Sequence, residues 1–260
     1  MNKAQFATIF AAIVLFSVLY FGFDTTPAKH KAIEKTRTLQ GESTSFQTLL
    51  EDATAHLSPA QAEQVSSLQK QLDASTSDQD KILMLKKLSG LWYDFGQMPV
   101  AGGFAEQVAE LENADSSWSV AGGTFFNGLM ASQDPVVRQY CASHAVKAFE
   151  SAASLAPAKV EHRVNLALVY AENPPPDNPM QAVLMLRDLE AKHPESPTVY
   201  NALGRLAIKT GQWQKAIERL EKSWSLENKN PNTPCLLARA YEGAGNAAKA
   251  TEWAERCKDR

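Results

Sequence analysis

The end of the chain repeats itself at an interval of 34 residues. Gly211 aligns with Gly245 and Ala216 with Ala250 at this interval. The other aligned pairs are Leu203 and Leu237, Gly204 and Ala238, Ala207 and Tyr241, and Leu220 and Ala254. Such a period is typical of helix–turn–helix repeats, because a single hairpin cannot bury its apolar face and must stack on its neighbours. The repeat therefore predicts an all-α fold built from stacked helical hairpins.

Small residues recur where the two helices of each hairpin would meet. Gly204 on the first helix and Ala216 on the second carry no long side chain, so the helices can approach closely. Gly211 follows the first helix, where a left-handed glycine caps the exposed carbonyls without steric cost. The equivalent positions one repeat later predict the same geometry.

This pattern resembles the tetratricopeptide repeat family, and in particular its bacterial membrane-anchored members. The family places Trp-x-x-Leu-Gly-x-x-Tyr on the first helix and Ala-x-x-x-Phe followed by Pro on the second. The residues at those positions are Tyr200, Leu203, Gly204, Ala207, Ala216 and Leu220 in one unit and Leu237, Ala238, Tyr241 and Ala250 in the next. The resemblance implies a right-handed solenoid of antiparallel helix hairpins.

Proline-containing helix starts and apolar periodicity divide the chain into seven segments. They are a transmembrane anchor at 1–23, a polar tether at 24–45, divergent helical hairpins at 46–113, a variant long tetratricopeptide-like unit at 114–159, a repeat with a turn insertion at 160–196, and repeats at 197–230 and 231–260. Pairs of a cap residue and a proline predict helix starts at Asp134-Pro135, Asn178-Pro179, Ser196-Pro197 and Asn230-Pro231. Ser58, Pro59 and Gln61 predict a capping box that opens a helix.

Residues 4–23 form an uncharged apolar run of 20 residues. A helix of that length crosses about 30 Å of hydrocarbon. A cleaved signal peptide is the alternative, but the small-x-small cleavage pattern is poorly matched at Thr26-Pro27-Ala28. We therefore predict a single-pass protein of a bacterial inner membrane. More basic residues follow the run than precede it, which favours a cytoplasmic repeat domain and leaves a periplasmic one open.

The three cysteines, Cys141, Cys235 and Cys257, cannot all pair within the chain and fit no zinc-binding spacing. Cys141 shares a helical face with Ala145 and Phe149, which predicts a buried small hydrophobic residue. Whether Cys235 and Cys257 pair is left open by the sequence. If all three are unpaired, they agree with a cytoplasmic domain.

Several kinds of chemistry lack their sequence signals. A net charge of −3 offers no basic face for nucleic acid. The glycines at Gly102-Gly103 and Gly122-Gly123 do not follow strands, so they are interpreted as close-packing positions of helices rather than phosphate loops. The five histidines are scattered outside metal-ligand spacings. We predict no catalytic residue, no metal and no cofactor, and keep an enzyme with an unrecognised site within 46–134 as an alternative.

In the tetratricopeptide family, the first helices line a concave surface that binds extended peptides or partner helices. The residues carried over to that surface are Val164, Leu168, Asn201, Arg205, Ile208, Arg239 and Glu242. Arg205 and Arg239 occupy equivalent positions one repeat apart, and arginine donors on one face suit a carboxylate. Two solvated arginines, paired locally with residues such as Glu242, are the simpler alternative. The resemblance implies a protein-interaction scaffold for a peptide or helical segment, acidic or carboxylate-bearing.

The last repeat suggests a second docking surface. Its second helix carries Ala247, Ala250 and Ala254 at i, i+3 and i+7, without the polar helix that usually seals such a stack. We expect a shallow apolar patch that another subunit or partner covers, unless Trp253 and the charged tail solvate it. A homo-oligomer and a structural assembly factor are therefore alternatives to a groove-binding scaffold.

Overall fold

The computed structural model describes residues 44–258, and this range contains twelve helices and no strand. The all-α prediction is confirmed for these residues. The predicted anchor at 4–23 and nearly all of the tether at 24–45 lie outside them. None of the helices in this range combines the length and the apolar composition needed to cross a membrane.

The helices follow one another with short connections. They are α1 (Phe46–Ala55), α2 (Pro59–Asp73), α3 (Asp78–Asp94), α4 (Met98–Glu112), α5 (Asp115–Ala131), α6 (Pro135–Leu155), α7 (Val160–Glu172), α8 (Gln181–Lys192), α9 (Pro197–Lys209), α10 (Trp213–Leu226), α11 (Asn232–Gly243) and α12 (Ala247–Lys258). The predicted units at 114–159, 160–196, 197–230 and 231–260 each enclose one pair of helices.

Two predicted helix starts carry the expected side-chain caps. Ser58 accepts the main-chain N–H of Gln61 and closes the predicted capping box at the start of α2. Asp134 accepts the N–H of Val136 at 2.7 Å, at the start of α6. These bonds satisfy N–H groups that have no partner within the helix, which is why the chain turns helical at these points.

Two other starts are displaced from their predicted positions. The pair Asn178-Pro179 does not open α8, which begins at Gln181, because the main-chain N–H of Gln181 bonds to the carbonyl of Asn178 in a turn. The helix α11 begins at Asn232, where Asn230 Oδ1 accepts the N–H at 3.0 Å. In both places the proline lies in the turn before the helix and is not the first helical residue.

From α3 to α12 the helices pack in pairs as hairpins, beginning with α3 against α4 and ending with α11 against α12. The first helices of successive hairpins, α5, α7, α9 and α11, also contact one another. Among the second helices in the described range, α4 contacts α6 to a similar extent, and the later second helices contact one another less. The more closely spaced row of a curved stack lies on its inner side. The first helices therefore form the concave side.

Four of the five predicted close-packing glycines, Gly102, Gly103, Gly122 and Gly204, lie at tight helix crossings, where a Cβ would clash with a side chain of another helix. A Cβ on Gly204 would lie 2.5 Å from Leu220 Cγ, and a Cβ on Gly102 would lie 2.6 Å from Phe125 Cδ1. Gly123 differs, because a Cβ there would meet nothing within 4 Å. The packing interpretation was wrong for Gly123, which lies on the open concave side of α5.

The turns of the last two hairpins have the predicted left-handed glycines. Gly211 has φ of 68° and Gly245 has φ of 77°, in the region where a side chain is strained. The N–H of Gly211 bonds to the carbonyl of Ile208, which caps the end of α9. The 34-residue register is thus reproduced in the backbone.

Cys141 is fully buried in a core that includes Phe125, Ala145 and Phe149. Burial raises the pKa of the Cys141 thiol to about 12. The thiolate is the reactive form of cysteine, so this residue is chemically inert at neutral pH. The prediction of a buried small hydrophobic residue is confirmed.

Cys235 and Cys257 form a disulfide that joins the start of α11 to the end of α12, with their Cα atoms 5.0 Å apart. The sequence left this pairing open, and the antiparallel helices bring the two positions together. Disulfides are rare in the reducing cytosol. The cysteines therefore give no support to a cytoplasmic location.

Candidate partner-binding groove

A cavity of about 370 Å³ opens on the concave side among α5, α7 and α9. The apolar lining residues are Val120, Phe126, Phe149 and Leu168, and the polar ones are Thr124, Asn127, Asn165 and Arg205, with Gly123 between them. We call this the groove cavity. It combines apolar walls with a few polar groups, as small binding sites in proteins do.

The α5 wall of the groove cavity is open at the backbone. Val120 is 62% exposed, and Gly123 leaves the helix surface uncovered one turn further on. The hydroxyl of Thr124 donates to the carbonyl of Val120 at 2.9 Å, so it is satisfied within the helix. Asn127 donates weakly to the phenol oxygen of Tyr93 at 3.4 Å. A partner can therefore approach α5 closely along this face.

Arg205 provides the charge of the groove cavity, and the residues one turn before and one turn after it on α9 bond to neighbouring helices. Asn201, one turn before, donates to Thr233 of α11 at 2.7 Å. Lys209, one turn after, donates to Glu172 of α7 at 2.7 Å. Residues four apart lie about one turn apart along a helix, so Arg205 lies between two positions that are bonded to neighbouring helices. Arg205 itself makes no hydrogen bond or ion pair within residues 44–258.

The structure brings together some of the predicted groove residues. Leu168 and Arg205 line the groove cavity. Arg239 and Glu242 are exposed on α11, outside this cavity. Arg205 and Arg239 form no ion pair within the part of the chain that the structure describes, so neither of them pairs locally with Glu242. The binding role of all these residues remains a prediction.

Three predicted groove residues do not offer surface to a partner. Val164 is 1% exposed and packs with Leu186 between α7 and α8. Ile208 is 5% exposed and belongs to the core between α9 and its neighbours. Asn201 is also buried, where it bonds to Thr233. The prediction was wrong for Val164 and Ile208, because α7 and α9 turn these positions into the joints between helices.

A buried polar cluster joins α4 to α6, and sequence reasoning missed it. Glu106 is 7% exposed, accepts a hydrogen bond from His144 Nδ1 at 2.6 Å and forms an ion pair with Lys147 Nζ at 2.7 Å. Burial by itself would raise the pKa of Glu106, but the hydrogen bonds and positive charges of His144 and Lys147 outweigh it and hold the pKa below its ordinary value. Glu106 is thus an ionised carboxylate that ties two helices together.

A similar cluster joins the starts of α5 and α7. Asp115 accepts from Lys159 Nζ at 2.7 Å and from His162 Nε2 at 2.9 Å. The hydrogen bond from Lys159, with that from His162, lowers the pKa of Asp115 below its ordinary value. The partners in both clusters are separated by 38 residues or more of sequence, and Glu106 and His144 are the nearest pair. No local spacing could have revealed them.

A second cavity, of about 500 Å³, lies among α2, α3 and α4. Leu72, Leu85 and Leu111 give it apolar walls, and Lys81 and Glu110 place opposite charges at its rim. Since its charges are mixed, it favours no particular ligand charge. Neither cavity is lined by the Glu106 cluster, and residues 44–258 contain no group of three or more side chains suited to hold a metal ion.

The predicted patch on the last helix is partly covered by its own chain. Ala247 is exposed, but Ala250 and Ala254 are half-buried. Trp253 is 8% exposed and meets Trp224 of α10 edge to face, with ring centroids 5.4 Å apart. The uncovered apolar surface is therefore small.

The overall architecture is found in solved tetratricopeptide proteins. The chain is similar to TTC0263, a thermophilic TPR protein of Thermus thermophilus, with 17% identity, a TM-score of 0.50, and coverage of 68% of this chain and 89% of that one. It is also similar to a chain of the APC/C hetero-tetramer Cut9–Hcn1, with 15% identity, a TM-score of 0.50, and coverage of 75% of this chain and 36% of that one. The fold is therefore of the tetratricopeptide repeat type.

MamA from Desulfovibrio magneticus RS-1 is a further similar structure, with 18% identity, a TM-score of 0.41, and coverage of 69% of this chain and 94% of that one. No family model matches the sequence. No curated protein matches it either. At these identities, the likeness to solved structures concerns the fold.

Proposed function

We propose that the protein is an interaction scaffold whose concave groove binds a segment of a partner protein that presents a carboxylate to Arg205. The observation that carries this proposal is the unpaired guanidinium of Arg205 in a cavity with apolar walls. A tetratricopeptide fold supports it, because stacked hairpins create extended concave surfaces suited to binding.

The chemistry of the groove cavity specifies the segment further. A guanidinium has five donors in a planar fork and binds a carboxylate through two parallel hydrogen bonds. Asn165 and Arg205 provide hydrogen-bond donors to the cavity, while Val120 and Leu168 provide apolar contact. A residue with a small apolar side chain next to a carboxylate, either a chain terminus or an acidic side chain, suits both kinds of contact.

We also propose that residues 4–23 attach this scaffold to a membrane. The proposal rests on the uncharged run of 20 residues, which is long enough to span the hydrocarbon core. Deletion of residues 1–28 should move the protein from the membrane fraction to the soluble fraction with its helical circular dichroism unchanged. Full-length protein that is soluble and still begins with Met1 would contradict the anchor.

Binding to the groove is tested with peptide probes and the full-length chain in detergent. A library of peptides with free C-terminal carboxylates is screened by fluorescence anisotropy against the same library with amidated ends, and internal acidic residues are varied separately. We expect binders that depend on a carboxylate. Because a hydrogen bond to a charged group contributes about 1.5 to 3 kcal/mol, Arg205→Gln should weaken the best binder about 10- to 100-fold.

The matched control is Arg187→Gln on α8, because Arg187 is exposed on a second helix and makes no ion pair within the described residues. It should leave the affinity unchanged. If both substitutions weaken binding equally, the effect is one of net charge and the groove assignment fails. If no peptide depends on a carboxylate, the proposed ligand chemistry fails.

A further inference from the structure

The last helix, α12, packs mainly against a single neighbour, α11, whereas α10 packs against both α9 and α11. Among the described side chains of α12, only Trp253 is buried. The equivalent second helix of the preceding hairpin, α10, has four buried residues. A helix of 12 residues is marginal on its own in water, so its stability has to come from packing. Besides the packing around Trp253, α12 is tied to α11 by the hydrogen bond from Lys249 to the phenol oxygen of Tyr241 at 3.1 Å and by the disulfide between Cys235 and Cys257.

The neighbouring helix α11 is attached more firmly. Thr233 is fully buried and accepts the hydrogen bond from Asn201, and Leu237 is fully buried in the core. The disulfide therefore links a weakly held helix to a well-held one. Cys235 and Cys257 are both half-exposed, so a reductant in solution can reach them.

We propose that α12 is a redox-conditional element, closed while the Cys235–Cys257 disulfide is intact and open after its reduction. In the reducing step, a thiolate of a dithiol reductant attacks one sulfur and releases the other as a thiol. The second thiol of the reductant then displaces the protein sulfur from the mixed disulfide. Two electrons and two protons pass to the protein, and the reductant leaves as a cyclic disulfide.

The Cys235–Cys257 disulfide also indicates the cellular compartment of the repeat domain. A half-exposed disulfide persists in an oxidising compartment and is reduced in the cytosol. With α12 closed only in the oxidised form, the intact repeat stack belongs on the periplasmic side of the membrane. This conclusion opposes the cytoplasmic location that the charges flanking residues 4–23 predict, and it does not depend on what the groove binds.

Thiol counting in intact bacteria that express the full-length chain tests the compartment. Cells are treated with N-ethylmaleimide, the protein is denatured without reductant in the presence of the same reagent, and the alkylated cysteines are counted by mass spectrometry. We expect one, at Cys141, because the other two are bonded. Three alkylated cysteines would overturn the assignment to an oxidising compartment.

Hydrogen–deuterium exchange of the purified full-length chain tests the opening of α12. Closing a loop of this size contributes a factor on the order of 100 to the equilibrium. Dithiothreitol should therefore speed amide exchange in 247–258 by about 100-fold and leave 135–155 unchanged. The double variant Cys235→Ser with Cys257→Ser should show fast exchange with and without reductant.

Cys141→Ala is the matched control, and its α12 should respond to dithiothreitol as the wild type does. Equal protection of α12 in the oxidised and reduced wild type would overturn the redox-conditional element. So would a double variant whose α12 exchanges as slowly as that of the oxidised wild type.

Discussion

The first helices of the repeats have two faces that are built differently. On the face turned toward the joints between helices, Gly204 meets Leu220 and the amide of Asn201 meets Thr233. On the face turned toward the groove, Gly123 meets nothing within 4 Å and Arg205 has no partner among the described residues. Glycine thus allows close packing on one face, whereas on the other face it leaves open space beside the helix.

The comparison separates features that the fold uses for packing from features that it leaves without contacts. A glycine inside an exposed helix costs about 1 kcal/mol relative to alanine, and this cost is offset at Gly204 by close packing but not at Gly123. The fold requires the features of the joint face, whereas it does not require those of the groove face. Substitutions should therefore affect stability on one face and binding on the other.

The largest effect is expected from Gly204→Leu. Even a Cβ at this position would lie 2.5 Å from Leu220, so a full side chain must force α9 and α10 apart. Overpacking of this kind costs about 3 kcal/mol or more. The measurement is the free energy of unfolding in urea, with Lys215→Leu on the exposed surface of α10 as the control. Equal losses at the two positions would refute the repeat register.

A smaller loss is expected from Thr233→Val, which keeps the shape of the side chain and removes its hydroxyl. The buried amide of Asn201 then lacks its acceptor, and such an unsatisfied group costs about 1 to 3 kcal/mol. Thr124→Val in the groove cavity should cost less, because that hydroxyl bonds only within its own helix. Urea unfolding of both variants decides whether the joint face is the more sensitive one.

The two faces should also differ in how their charged residues make the free energy of unfolding depend on pH. The folded pKa of Glu106 lies below its ordinary value of 4.5, so its stabilising contribution is present above that pH and is lost as the pH falls through the folded pKa. Glu106→Gln should cost about 1 to 3 kcal/mol at pH 7, and the difference from the wild type should shrink in acid. Arg205→Gln should show no such dependence. Unfolding free energies measured from pH 7 to pH 3 test both statements.

The smallest effect, and the only gain, is expected from Gly123→Ala. Space is free for the methyl group, and alanine favours the helix by up to about 1 kcal/mol. Gly122→Ala should instead destabilise, because its Cβ would lie 2.9 Å from the ring of Phe149. A thermal melt compares the two variants directly. A loss of stability at Gly123 would mean that this position is packed after all.

The joint face was largely predictable from the sequence. The 34-residue spacing located Gly204 and the left-handed glycines, and the local residues Ser58, Pro59 and Gln61 located the capping box. Each of these features depends on residues that are close along the chain or one repeat apart. The starts of α8 and α11 were displaced because a proline after asparagine fits a turn as well as a first helical residue.

The groove face was predicted only in part. Family positions pointed to Arg205 and Leu168, which do line the cavity, but also to Val164 and Ile208, which are buried. A transferred position fixes a residue along the helix, whereas a small rotation of the helix decides whether it faces the groove or the joint. Partners such as Glu106 and His144 meet through tertiary packing alone, so no pattern in the sequence identifies them.

The placement of Arg205 between Asn201 and Lys209 has a practical consequence. The flanking residues make the contacts that hold α9 against its neighbours, so the middle position is free to change without altering the helix arrangement. Under the proposed groove function, replacing Arg205 with an acidic residue should shift the preference of the same backbone toward basic ligands.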